Sequence, residues 1–261
     1  MFMHKDRYDI MDLLSIMDKL RQPGGCPWDR EQTHKSIRCN LIEETYEAAE
    51  AIDTGDRDLL CEELGDMLLQ IVFHAQIERE QGSFSFDDVC DGICKKLVSR
   101  HPHVFADVSA QDVRSALQSW DAVKRTEKGR KSDSDMLKGV SKALPALMRS
   151  EKVQSRAAKA GFDYSRTCEA LSDLRSELAE LEQAINSGDG GAIHEELGDL
   201  LFAAVNVSRF TDVDAEKSLT DSCEKFIFRF SRVEKLAHER GIDMKTSDMD
   251  LLNSLWSEAK I

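Results

Sequence analysis

The chain has 261 residues, of which 41% are hydrophobic and 32% charged, a composition that is typical of folded globular proteins and excludes an intrinsically disordered one. The formal net charge of −14 argues against nucleic acid as the main partner, because phosphate neutralisation dominates affinity for nucleic acids. The most apolar stretch, residues 67–73, is too short to span a bilayer, so the sequence predicts no membrane contact.

Cysteine usage and the first residues bear on the cellular compartment. The seven cysteines are odd in number and scattered, and residues 1–9 lack an apolar signal segment. Both features predict a cytoplasmic protein with reduced thiols. A zinc site built from Cys90, Cys94, His101 and His103 is a weaker alternative, because CxxxC followed by HxH does not match the ligand spacing of common zinc sites.

Helical periodicity runs through most of the chain. Apolar residues recur at three- and four-residue intervals, first in a helix that includes Leu13, Met17 and Leu20. The next helix is predicted to end at a turn around Gly55, and a strongly apolar one, expected in the core, begins near Leu59. No run of alternating β-branched residues competes with these patterns. The sequence therefore predicts an all-α protein.

The second half of the chain follows a polar linker. Residues 126–134 are charged and free of large apolar side chains, which is typical of a connection between domains. A further helix is predicted from near Leu144 and Pro145 through Lys159. We therefore predict an N-terminal domain over residues 1–125, a linker over 126–140 and a C-terminal domain over 141–261.

The two predicted domains contain an internal repeat. Residues 40–74 and 173–207 align without gaps at an offset of 133, with 14 identities over 35 positions. Residue usage alone would give roughly two or three. We therefore infer that the chain consists of two copies of one unit.

Each copy places four acids symmetrically about a glycine, at eight and eleven residues on either side. If Gly55 and Gly188 mark turns between antiparallel helices, equal offsets place the four carboxylates of each copy at one level. The acids are Glu44, Glu47, Glu63 and Asp66 in the first copy and Glu177, Glu180, Glu196 and Asp199 in the second.

Four carboxylates at one level predict a cation site. Acids three residues apart on a helix are neighbours, so their repulsion raises their pKa values and destabilises the fold. Mg²⁺ prefers oxygen ligands and keeps water molecules that a phosphate substrate can displace. A single ExxE motif is more often a solvated helix face, but two mirrored copies favour metal binding. Gly65 and Gly198 adjoin the last acid of each set and predict close approach of another helix or of a ligand.

Each acidic cluster is followed by two basic residues four positions apart and by a tryptophan. On one helix face, such a pair presents two cations that suit phosphate oxygens, and an aromatic ring suits a nucleobase. We therefore predict these residues as nucleotide contacts. They are Lys96, Arg100 and Trp120 in the first half and Lys225, Arg229 and Trp256 in the second.

Several longer segments resemble those of the MazG family of nucleoside triphosphate pyrophosphohydrolases, in the form with two tandem MazG domains. The resemblance covers nearly the whole chain. The segments that carry it are GGCPWDREQT, EETYEAAEAI, EELGDMLLQIVFHAQ, RHPHVFAD, LPALMRSEKVQ, AGFDY, EELGDLLFAAVN and CEKFIFRFSRVE.

The resemblance implies an all-α fold in which the acidic helices, usually with those of a dimer partner, form four-helix sites. It implies Mg²⁺-dependent hydrolysis of an NTP or dNTP to the monophosphate and pyrophosphate, through water attack at the α–β linkage, in a homodimer. The implied metal ligands are Glu177, Glu180, Glu196 and Asp199, which would also be the catalytic acids, and the implied nucleotide contacts are Lys225, Arg229 and Trp256.

The resemblance also favours the C-terminal unit as the working hydrolase, because the N-terminal unit is silent in some similar proteins. The N-terminal half nevertheless keeps its acids and basic pair. At the position of Asp173, some relatives have a lysine.

Two other functions remain open from sequence. The chain could bind nucleotide or metal without hydrolysis, as a sensing module. A di-iron bundle would need two Glu-x-x-His motifs, and we find only Glu31 with His34.

Overall fold

The structure, a computed structural model, describes residues 5–105 and 132–260. These two ranges contain twelve helices and no strand, so the predicted all-α class is confirmed. None of the helices in the described ranges is long and apolar enough to cross a membrane. The chain divides into two compact units, Met1–Lys128 and Gly129–Ile261, which we call unit 1 and unit 2.

The described part of unit 1 holds six helices. In chain order, they are α1 (Ile10–Arg21), α2 (Pro27–Glu31), α3 (Arg38–Thr54), α4 (Arg57–Glu80), α5 (Phe86–Arg100) and α6 (Pro102–Phe105). Helix α4 is central, because it packs against α1, α3 and α5.

The described part of unit 2 also holds six helices. They are α7 (Asp133–Lys138), α8 (Ala146–Lys159), α9 (Thr167–Ser187), α10 (Gly190–Phe210), α11 (Ala215–Glu239) and α12 (Met249–Glu258). Helix α10 packs against α8, α9 and α11, and thus occupies the place in unit 2 that α4 occupies in unit 1.

The same Gly-Asp pair makes the central turn of each unit. Gly55 ends α3 and Gly188 ends α9 with φ of 70° and 72°, in the left-handed region that favours glycine. The next residue then caps the following helix. Asp56 accepts hydrogen bonds from the backbone N–H groups of Asp58 and Leu59 at 3.1 and 3.0 Å, and Asp189 does the same in unit 2. The predicted antiparallel helical hairpins are therefore present in both units.

Apolar packing fixes each hairpin to its neighbours. The buried cluster of unit 1 draws on α1, the residue before α3, and α4; its members are Met17, Ile37, Val72, Phe73 and Ile77. The buried cluster of unit 2 joins α11 to α12 and to the residue after α12; its members are Val233, Ala237, Leu255 and Ala259. Helix α4 supplies three members of the unit 1 core, as expected from the sequence, although its residues Leu64 and Ile71 are exposed on the described chain.

The predicted linker is partly helical. Residues 133–138 form α7, which packs on α8, and the guanidinium Nη1 of Arg156 donates a hydrogen bond to the carbonyl oxygen of Met136. Helix α8 ends at Lys159, as the sequence predicts. The domain limits at residues 125 and 141 stay a prediction.

Candidate metal and nucleotide site

In unit 2, the α9–α10 hairpin brings three acids together. One oxygen from each of Glu177, Glu196 and Asp199 lies within 4.8 Å of the other two, which is close enough for one cation to contact all three. Glu177 lies eleven residues before Gly188, and Asp199 eleven residues after it. Their convergence therefore follows from the hairpin register that the sequence predicts.

Unit 1 repeats the arrangement on α3 and α4. One oxygen from each of Glu44, Glu63 and Asp66 lies within 4.8 Å of the other two. Glu63 is only 9% exposed, and no described basic side chain pairs with it. Burial of a charged carboxylate without a positive partner costs free energy, so a bound cation would stabilise this trio.

In unit 2, the pKa values of two trio members are raised, which indicates that a positive charge would stabilise this trio as well. Burial and then the negative charge of Glu180 raise the pKa of Glu196. Burial, followed by the charges of Glu180 and Asp173, likewise raises the pKa of Glu177. No lysine or arginine of the described residues forms an ion pair with this trio.

In unit 1, burial is again the main cause of the shifts. Burial and then the charge of Asp66 raise the pKa of Glu44, and burial and then the charge of Glu47 raise the pKa of Glu63. Both trios thus hold carboxylates that are less stable in the charged form than in water. A divalent cation would remove this cost, because it pairs with several carboxylates at once.

The fourth predicted ligand of each set lies beside its trio. Glu47 and Glu180 raise the pKa values of trio members by their charge, so each is near, but neither belongs to the group of converging oxygens. Glu180 instead accepts a hydrogen bond from the Ser176 hydroxyl at 3.1 Å. Their role as direct ligands stays a prediction.

The two helical glycines beside the trios face open space. A β-carbon built at Gly65 or Gly198 would have no heavy atom within 4 Å. Close packing of another described helix against these glycines is therefore not observed. The open surface beside each cluster leaves room for a ligand or for a helix of a second chain.

The predicted nucleotide contacts of unit 2 lie on two packed helices. Lys225 and Arg229 lie on α11, and Trp256 on α12 packs its ring against Phe226, with 5.1 Å between ring centroids. Lys225 and Arg229 form no ion pair with the described trio acids. The structure thus joins the tryptophan to the helix that carries the basic pair.

In unit 1, the basic pair is divided. Lys96 and Arg100 both lie on α5, but Lys96 is exposed whereas Arg100 is only 5% exposed. Arg100 is the single buried residue of α5, and residues 91–99 of this helix are all exposed or partly exposed. The role of Lys96 and Arg100 as nucleotide contacts stays a prediction. Trp120 lies outside the described residues.

Sequence reasoning missed one participant near the unit 2 trio. Burial and a hydrogen bond to Asp173 raise the pKa of the Tyr164 hydroxyl, which places it beside the acids. Asp163 holds this turn in place through an ion pair with Arg209 on α10. The position of Asp173, one turn before Glu177, could have indicated its proximity.

The structure supports neither alternative metal site. Cys90, Cys94, His101 and His103 form no group of converging ligand atoms among the described residues. His34 contacts His74 and Glu78 rather than an acidic trio, and no histidine joins either trio within the described ranges. The zinc and di-iron hypotheses are therefore left without a site in the part of the chain that the structure describes.

Comparison with known proteins covers both hairpins. The sequence pattern of the MazG nucleotide pyrophosphohydrolase domain matches residues 32–105 and 167–233, one segment in each unit. Each match includes all four acids of the corresponding repeat and its basic pair.

Three relatives are similar to this chain over almost its entire length. A Thermotoga maritima nucleoside triphosphate pyrophosphohydrolase/pyrophosphatase MazG is 42% identical over 249 residues, which cover 95% of this chain and 94% of the relative. A nucleoside triphosphate pyrophosphohydrolase of Escherichia coli K12 is 41% identical over 251 residues, 95% of each chain. The Bacillus subtilis protein YabN is 45% identical over 94% of this chain, which spans 50% of YabN.

Proposed function

Because this chain belongs to the MazG nucleotide pyrophosphohydrolase family, we propose that it hydrolyses nucleoside triphosphates to the monophosphate and pyrophosphate. The observation that carries the proposal is the convergence of Glu177, Glu196 and Asp199 within a unit that matches the family. The net charge of −14 supports a small anionic substrate bound through a cation, rather than nucleic acid. The cytoplasmic location expected from the sequence stays a prediction.

The donor set of each trio fits a divalent cation, and we propose Mg²⁺. All converging atoms are carboxylate oxygens, which Mg²⁺ prefers, and the trios contain no sulfur or nitrogen ligand that would favour zinc. Glu177, Glu196 and Asp199 would hold the ion in unit 2, with Glu180 beside them, and Glu44, Glu63 and Asp66 would do so in unit 1. When bound, the cation neutralises phosphate charge and lowers the pKa of a coordinated water.

The chain's own residues bind and orient the substrate around that ion. Lys225 and Arg229 supply positive charge for the phosphate oxygens that the ion leaves uncovered, and Trp256 supplies an aromatic surface for the base. In unit 1, Lys96, Arg100 and Trp120 are the counterparts. A carboxylate beside the ion would accept the proton of the attacking water. We assign hydrolysis to unit 2.

A panel of ribo- and deoxynucleoside triphosphates, incubated with the full chain and Mg²⁺, tests the function. We expect nucleoside monophosphate and pyrophosphate in equal amounts, without orthophosphate, because the attack is at the α–β linkage. Chelation with EDTA should remove the activity. Release of orthophosphate, or no monophosphate from any canonical or damaged nucleotide, would contradict the proposal.

A non-hydrolytic sensing module is the second candidate, and the unit 1 trio is the feature that favours it. A site that binds without turnover would raise the melting temperature in the presence of nucleotide and Mg²⁺ and yield no product. The same nucleotide panel, read by thermal unfolding, distinguishes the two functions.

We also propose that the protein is a homodimer. Leu171, Leu178 and Ile185 recur every seven residues along α9 and are exposed on the described chain, Leu178 by 47%. Such a stripe suits packing against another helix, and each trio draws its acids from only two helices, so that two helices of a second chain would complete a four-helix site. Sedimentation velocity should give twice the chain mass, and Leu178→Glu should shift it toward the monomer. A monomeric wild type would contradict this proposal.

A further inference from the structure

Three polar side chains form a line in unit 1, apart from both trios. Nε2 of His34 lies 2.7 Å from Oε1 of Glu78, and Nδ1 of His34 lies 2.7 Å from Nδ1 of His74. His34 precedes α3 by four residues, whereas His74 and Glu78 are one turn apart on α4. The line therefore joins the segment before α3 to the central helix of the unit.

The two imidazole rings meet end to end. Their planes differ by 8° and their centroids are 5.0 Å apart, although the two Nδ1 atoms are only 2.7 Å apart. Rings stacked face to face would not combine these two distances, because the nitrogens would be nearly as far apart as the centroids. The contact thus lies along the nitrogen lone pairs, where one ring donates a hydrogen bond to the other.

The carboxylate determines where the protons lie. Glu78 accepts only, so His34 donates to it from Nε2. A neutral His34 then has a bare Nδ1, which accepts the hydrogen bond from Nδ1–H of His74. Nε2 of His74 is consequently unprotonated, and this buried atom has no hydrogen-bond partner among the described residues.

We propose that Glu78, His34 and His74 form a proton-sensitive latch that holds the start of α3 on α4 in unit 1 and opens on acidification. An added proton has two positions, and both are unfavourable. On Nδ1 of His34, the proton occupies the acceptor of the hydrogen bond between the two rings, so that two N–H donors face each other. On Nε2 of His74, it creates a buried N–H without an acceptor. Oε1 of Gln70, one turn earlier, is also without a partner, so these two atoms are not bonded to each other.

The direction of the pKa shift agrees with this geometry. Burial and then the charge of His34 lower the pKa of His74 from its ordinary value of 6.5. A base with a lowered pKa binds fewer protons in the folded state than in the unfolded state. Its contribution to stability is complete above about pH 6.5 and decreases as the pH falls toward the folded pKa.

Several charged groups on the helices around the latch have partners of their own. Arg21 on α1 donates to both carboxylate oxygens of Glu80 at 2.8 Å and to the carbonyl oxygen of Gln32 at 3.2 Å. Because a guanidinium does not titrate in this range, that second attachment persists at low pH and opening is confined to the His34 end. Asp18 of α1 pairs with Arg79 of α4, Glu44 of α3 belongs to its trio, and Asp88 of α5 accepts a hydrogen bond from Ser85. Lys35 and Arg38 lie beside His34 in the sequence and are exposed.

Unit 2 lacks the latch and is an internal control. At the repeat offset of 133, Gln70 and His74 correspond to Ala203 and Val207. His74 is thus replaced by an apolar side chain in α10, and His34 and Glu78 correspond to Thr167 and Thr211, neither of which carries a charge. Acidification should therefore act on the start of α3 and leave the start of α9 unchanged.

Hydrogen exchange of the full chain, followed by mass spectrometry from about pH 7.5 to about pH 5.5, tests the latch across the ordinary histidine pKa. With rates corrected for the intrinsic effect of pH, protection over residues 33–40 should fall several-fold, whereas residues 167–173 keep theirs. His74→Gln should show low protection there at every pH. His238→Gln, which replaces an exposed histidine of α11, should behave like the wild type.

Constant protection of residues 33–40 in the wild type would overturn the inference, as would a wild-type pH response in His74→Gln. If that variant does not fold, nitrogen NMR of the wild-type histidines gives the answer. His34 protonated at Nε2 and His74 protonated at Nδ1, with a change on acidification, support the latch, and any other tautomers overturn it. These measurements use neither cation nor nucleotide, so they are independent of the proposed reaction.

Discussion

Glu196→Gln is expected to lower pyrophosphate release by a factor on the order of 10² to 10³, the loss typical of removing one charge-stabilising group from an active site. Glutamine has nearly the same volume as glutamate, so the α9–α10 hairpin should keep its packing. The substitution removes one of the three charged oxygens that converge in unit 2. The trio then holds its cation less tightly, and the phosphates lose part of their neutralisation.

Glu63→Gln is the matched control, because Glu63 occupies the same place in the ELGD segment of unit 1. We expect this variant to retain most of the wild-type activity, since we assign hydrolysis to unit 2. Both variants should be compared with wild type at saturating Mg²⁺ and nucleotide, with monophosphate measured by chromatography. Loss of activity in Glu63→Gln with a fully active Glu196→Gln would show that the working half is unit 1.

Addition of Mg²⁺ to the metal-free protein is expected to raise its melting temperature by several degrees. In the absence of a cation, burial and neighbouring acids raise the pKa values of Glu44, Glu63, Glu177 and Glu196, so these groups oppose folding when charged. A cation that binds only the folded trios stabilises the protein by mass action. Differential scanning calorimetry over a series of Mg²⁺ concentrations measures the effect.

Mg²⁺ should reverse the sign of the difference in melting temperature between Glu63→Gln and the wild type. Without metal, Glu63→Gln is expected to melt above the wild type, because a buried and unpaired carboxylate has been replaced by a neutral amide. With saturating Mg²⁺, it should melt below the wild type, because the unit 1 trio has lost a ligand. Gln81→Glu, outside both trios and at the end of α4, should leave the response to Mg²⁺ unchanged. A wild type whose melting temperature ignores Mg²⁺ would argue against cation binding.

The pH dependence of the metal-free protein follows from the same carboxylates. Their folded pKa values lie above the ordinary value of 4.5, so the folded state binds more protons than the unfolded state above that pH. Their contribution therefore makes the protein more stable as the pH falls toward 4.5. The latch at His34 and His74 acts in the opposite direction, which is why its test is read locally at the start of α3.

Much of the fold could be predicted because its causes are local. The three-to-four-residue apolar period, the Gly55-Asp56 and Gly188-Asp189 turns and the helix that ends at Lys159 all depend on residues within a few positions of one another. The helix over residues 133–138 was missed, because a short polar helix has no apolar period and depends on Ser132 as its cap and on packing against α8.

The sequence by itself determined the level of the acids: equal offsets about a left-handed glycine place them side by side in any antiparallel hairpin, whatever surrounds it. Only the tertiary structure decided which of them converge, because carboxylate positions depend on side-chain rotamers and on burial between helices. Thus Glu63 converges with its trio while Glu47 lies outside it, and Arg100 is buried while Lys96 is exposed. The contact of His34 with His74 spans 40 residues, so it arises from helix packing, which no local pattern encodes.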